Sequence, residues 1–76
     1  MKKIWHAEIN LVVGTLEHLV EEKLYTTKER AFTWLKEMAH ELSGKDLEED
    51  GEETEEGKFW IFPDHVYYLT EKDVRD

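Results

Sequence analysis

The sequence predicts an α+β fold, a single small domain of ββαββ order in which an antiparallel sheet packs on one helix and carries an acidic loop. Three observations predict it. Apolar residues alternate over Lys3 to Val13, they recur at helical spacing from Ala31 to Leu42, and aromatic and β-branched residues crowd two short runs on either side of Pro63-Asp64. A chain of 76 residues has room for one core, so residues 1–76 are expected to form one domain.

The first strand places Trp5, Ala7, Ile9, Leu11 and Val13 on one face, with His6, Glu8 and Asn10 interrupting the other. Gly14-Thr15 supplies the turn that ends it. The next segment reads two ways: Leu16, Leu19, Val20 and Leu24 have helical spacing, while His18, Val20, Glu22 and Leu24 alternate. A second strand is preferred over Leu16 to Tyr25, because Thr26 with Glu29 makes a capping-box start for a separate helix. That helix carries Ala31, Trp34, Leu35, Met38, Ala39 and Leu42 as one stripe and stops at Ser43-Gly44. Lys58 to Phe62 and Val66 to Thr70 form the final hairpin, and Glu71 to Asp76 reads as a frayed tail.

Residues 45–57 form the acidic loop within this domain. Asp46, Glu48, Glu49, Asp50, Glu52, Glu53, Glu55 and Glu56 fall there with no Lys or Arg among them from Asp46 to Glu56, and they account for nearly all of the net charge of -9. Eight mutually repelling carboxylates with Gly44 and Gly57 nearby predict a solvated, mobile segment. A surface of this charge repels nucleic acid and anionic lipid, so neither is expected as a direct ligand. Basic proteins are the favoured partners.

Several chemistries are excluded. The chain has no cysteine, which removes thiol catalysis, zinc-thiolate sites and disulfides and points to a reducing, cytoplasmic setting. No apolar run approaches the ~20 residues of a membrane span, and Met1 to Val13 is too polar for a signal peptide. Asp46-x-Glu48-x-Asp50-Gly51 opens like a calcium loop, but Gly57 stands where the closing bidentate Glu belongs. The four histidines lack the short spacing of a transition-metal site, His6 and His18 being able to meet only across the hairpin, so no metal or cofactor is expected. Ser43 beside His40 is better placed to end a helix than to act as a nucleophile, and no phosphate-binding glycine loop occurs. No enzymatic activity is predicted.

One helix covers one face of a small sheet, yet the last hairpin is apolar on both faces. Phe59, Trp60, Phe62, Tyr67 and Tyr68 are therefore expected to form a homodimer interface or a partner site. The acidic segment is the second candidate surface. Extended at ~3.3 Å per residue, its 11 positions would span about 36 Å with a carboxylate every ~4.5 Å, close to the ~3.4 Å between phosphates of one DNA strand. Glu17, Glu21, Glu22, Glu37 and Glu41 are expected to extend this track.

In length, acidity, ββαββ order and an acidic loop ahead of an aromatic hairpin, the chain resembles the small host-takeover proteins of Bacillus phages. The resemblance is one of profile and covers the whole chain in length and charge. Within that group it looks most like DNA mimics that dimerise and occupy the DNA-binding surface of the nucleoid-associated protein HU. It implies a cytoplasmic, nucleoid-associated, homodimeric inhibitor of an HU-like protein, with a nuclease, CRISPR effector or RNA polymerase as the alternative target. A protein-interaction module acting through the aromatic hairpin, with the acidic loop serving only solubility, is the competing reading.

Overall fold

The computed structural model describes residues 2–48 and 51–74, Val74 by its backbone alone. Six elements follow in the order β1 (Lys2–Val13), β2 (Leu16–Tyr25), α1 (Lys28–Ser43), β3 (Glu52–Glu53), β4 (Gly57–Ile61) and β5 (His65–Val74). They bear out the α+β class, but the order is ββαβββ: the short strand β3 lies inside the segment expected to be loop. All five strands join one sheet in the order β2-β1-β5-β4-β3, and every neighbouring pair is antiparallel.

The ambiguous segment is a strand, and its pairing explains the ambiguity. Ile9 faces Glu21 and Asn10 faces Leu19, so Val20 is an extra residue that bulges out of the ladder. The bulge reverses the side-chain alternation, putting Leu24, Glu22, Leu19 and Glu17 on one face and Tyr25, Lys23, Glu21 and His18 on the other. A broken period of two leaves leucines at positions 16, 19 and 24, which imitates a helix.

Helix α1 begins one residue later than the capping box suggested. Thr27, not Thr26, is the N-cap, its hydroxyl accepting from the Arg30 amide at 3.3 Å, with Glu29 in the first turn. At the other end Gly44 takes φ 65° and its N–H donates to the His40 carbonyl, the left-handed closure for which glycine has no steric cost. Ala31, Trp34, Leu35 and Ala39 of the helix bury against Ala7 and Ile9 of β1, Tyr67 and Leu69 of β5, and Trp60 of β4. Tyr67, Ile9, Leu35 and Leu69 are the largest fully buried side chains, each contributing about 1.5–3 kcal/mol by its removal from water.

The tail expected to fray continues β5 as far as Val74; Arg75 and Asp76 lie outside the described residues. Its backbone pairs with the start of β1, Lys2 facing Val74 and Trp5 facing Glu71. An ion pair of 2.7 Å between Lys3 Nζ and Glu71 Oε1 reinforces the ladder. Among the described residues no second layer covers the sheet face opposite α1.

Candidate functional site

The acidic segment is tied down where sequence reasoning expected mobility. Leu47 is buried in the core, 3% exposed, between the exposed Asp46 and Glu48. The Trp60 indole Nε1 donates to the Glu48 carbonyl at 2.7 Å, and Gly51 lies so close to that ring that a side chain there would collide with it. Glu52 and Glu53 then pair with Phe59 and Lys58, and Thr54 closes a turn in which its hydroxyl accepts from the Glu56 and Gly57 amides. Gly57 abuts the Leu69 carbonyl so closely that a Cβ would overlap it.

This geometry corrects the expected straight track of carboxylates. The chain reverses at Thr54 to Gly57, so Glu52, Glu53, Glu55 and Glu56 gather along one edge and end of the sheet. Glu49 and Asp50 lie outside the described residues. Glu37 and Glu41 line a shallow hollow with Asp46, Lys36 and His40, which extends the acidic surface along α1. Glu17, Glu21 and Glu22 do not extend it. They stand on β2, four strand spacings from β3, about 19 Å across the sheet.

The aromatic hairpin is also reapportioned. Trp60 and Tyr67 face α1 and are 7% and 0% exposed, and Phe62 packs edge-on against Tyr67. Trp60 and Tyr67 fill the core and so do not form the expected interface, while Phe62 packs against that core and stays half-buried. Phe59 and Tyr68 remain half-buried on the opposite face, 6.1 Å between ring centres. The exposed apolar surface lies mainly on β2, where Leu16, Leu19, Val20 and Leu24 are 62%, 57%, 48% and 62% exposed.

The open sheet face carries a line of polar side chains that sequence reasoning missed. His6, Glu8 and Asn10 alternate along β1, while Glu22 stands directly opposite Glu8 on β2. His6 Nε2 and Glu22 Oε2 share a hydrogen bond of 2.9 Å, and Asn10 Nδ2 donates to Glu8 Oε2 at 2.9 Å and to Glu17 Oε1 at 3.5 Å. The Tyr68 hydroxyl completes the line by donating to Glu17 Oε1 at 2.8 Å. Burial and the neighbouring Glu17 and Glu8 carboxylates push the Tyr68 phenol up to about 12. His18 faces Leu11 on the helix side, so His6 and His18, which the hairpin could have brought together, stand on opposite faces. The signal was available in His6-x-Glu8 as a strand repeat, but Glu22 enters only through the register.

Neither remaining feature forms a catalytic constellation. Ser43 Oγ bonds the Tyr67 hydroxyl at 2.8 Å, fastening the helix end to β5. His65 Nδ1 is buried 3.2 Å from Asp64 Oδ1, outside hydrogen-bonding geometry, with its ring tilted beside Tyr67. An open hollow of about 790 Å³ lies by the start of α1, where Lys3 pairs with Glu71, Lys58 lies 3.7 Å from Glu53 and Lys28 sits over the Trp5 ring. No helix among the described residues is long and apolar enough to cross a membrane. Comparison with protein-family models, curated proteins and solved structures finds no match.

Proposed function

We propose that the protein is a non-enzymatic DNA mimic that binds a basic, HU-like DNA-binding protein through its acidic edge and blocks access to DNA. The observation that carries this reading is the set of exposed carboxylates Asp46, Glu48, Glu52, Glu53, Glu55 and Glu56 on one backbone-anchored segment, with Glu37 and Glu41 of α1 beside Asp46. A target that binds DNA through backbone charge and groove deformation demands phosphate-like charge and no base edges. Anchoring the segment at Leu47 and Trp60 lowers the ordering entropy that a free acidic tail would lose on binding. Its site of action on this reading is the bacterial cytoplasm, at the nucleoid.

The test is displacement of labelled duplex DNA from an HU-type protein, followed by fluorescence anisotropy. Displacement is expected at low salt and should weaken steeply as salt rises. Converting the acids from Asp46 to Glu56 to Asn and Gln should abolish it, while Glu17, Glu21 and Glu22 to Gln should leave it intact. Undiminished displacement by the neutralised edge would overturn the reading.

Self-association is a second proposal, favoured by the exposed leucines of β2. Two β2 edges from two copies would pair without disturbing the acidic edge at the far side of the sheet.

A further inference from the structure

We propose that His6, Glu8 and Glu22 form a binding site for one divalent transition-metal ion of the zinc type on the open face of the sheet. One ligand atom from each residue lies within 4.8 Å of those from the other two, so a modest contraction brings all three onto a single ion. The fold, not sequence proximity, creates the group. His6 and Glu8 share a face because they are two apart on β1, and the β1–β2 register sets Glu22 opposite Glu8.

Two independent features of the surroundings favour a cation here. Glu8 and Glu22 are like charges directly opposed across an antiparallel pair, an arrangement that destabilises a sheet unless positive charge lies between them. Glu8 is also held from behind, by the Asn10 amide at 2.9 Å, and Asn10 in turn reaches Glu17, which is fixed by the Tyr68 hydroxyl. That is the arrangement of an oriented ligand with an outer layer of partners. The side chain of His6 is only 12% exposed and that of Glu22 is 52% exposed, so the site has a floor and an open side. No element of the described chain covers this face, which leaves a path for the ion and positions for water.

The donor set selects the metal class. One imidazole nitrogen with two carboxylates suits Zn²⁺, Co²⁺ or Ni²⁺, and it lacks both the thiolates of a soft-metal site and the six to eight oxygens that calcium takes. In the metal-free protein the His6–Glu22 hydrogen bond occupies the same space. Binding exchanges that contact for two bonds to the ion.

The test is calorimetric titration of the full chain with zinc chloride in chelator-treated buffer, with Co²⁺ absorption as a second readout. One ion per chain is expected, with the visible bands of nitrogen- and oxygen-bound Co²⁺. Glu8→Gln, Glu22→Gln and His6→Asn should each lose the binding, and Asn10→Ala should weaken it about tenfold. Glu21→Gln and His18→Gln, on the other face, should bind as the native chain does. Both glutamine variants of the site remove a like-charge opposition, so their circular dichroism and thermal midpoints should show an intact fold. Absence of binding in the native chain would overturn the proposal, as would binding that survives all three ligand substitutions. Neutralising the acids from Asp46 to Glu56 should leave zinc binding unchanged, which separates this site from the proposed DNA-mimicking edge.

Discussion

Tyr68 concentrates the electrostatics of the open face in one side chain. Burial and the adjacent Glu17 and Glu8 carboxylates raise its phenol to about 12, above the ordinary ~10. The fold therefore favours the neutral phenol. Its stabilising share is complete below about pH 10 and is lost as pH rises from about 10 to about 12. Ultraviolet titration of the tyrosinates should show a late-titrating phenol that Tyr68→Phe removes, and the urea midpoint of the native chain should fall across this window more steeply than that of Tyr68→Phe. Equal falls in the two chains would mean that Tyr68 does not govern this part of the profile. The nearby Trp60 works differently, since its single bond to the Glu48 carbonyl ties an otherwise repelling segment to the core.

At the scale of elements, β2 is an edge strand, paired to β1 on one side only, and its leucines stay exposed. Leu19→Lys with Leu24→Lys should change stability by less than ~0.5 kcal/mol, because both side chains already face solvent. If β2 edges pair as proposed, sedimentation should give a dimer for the native chain and a monomer for the double variant. A dimer that persists in the variant would place the contact elsewhere. The same strand shows where sequence reasoning reaches its limit. The helix stripe from Ala31 to Ala39 and the alternation from Trp5 to Ile9 were legible because each follows one period, whereas Leu11, Val13 and Leu42, which continue those periods, are exposed beyond the ends of the core. Val20 could not be read as a bulge, since it is defined by the register against Ile9 and Asn10 and by no local pattern. Of the acidic candidates, exposure was legible from charge alone. The reversal at Thr54 to Gly57 and the burial of Leu47 depend on contacts with β4, β5 and the core. Trp60 and Tyr67 read as interface residues for a related reason: nothing local tells which face of the last hairpin meets the helix.

For the molecule as a whole, a net charge of -9 on a body measuring 38 × 23 × 20 Å sets carboxylates against one another, chiefly along the acidic segment. Raising sodium chloride from about 10 mM to about 150 mM shortens the Debye length from about 30 Å to about 8 Å and should raise the thermal midpoint. The chain with Asp46 to Glu56 neutralised should show a smaller rise. A midpoint that does not respond to salt would mean that the ion pairs offset the repulsion. The sheet order has a further consequence, for time rather than for energy. Its central ladder joins β1 to β5 from Lys2 facing Val74 to Leu11 facing His65, so even its nearest pair must close a loop that holds β2, α1, β3 and β4. The β1–β2 and β4–β5 hairpins close over short separations and are poised to form first. Folding is therefore expected to wait on a search between the two hairpins, with α1 as the surface on which they meet.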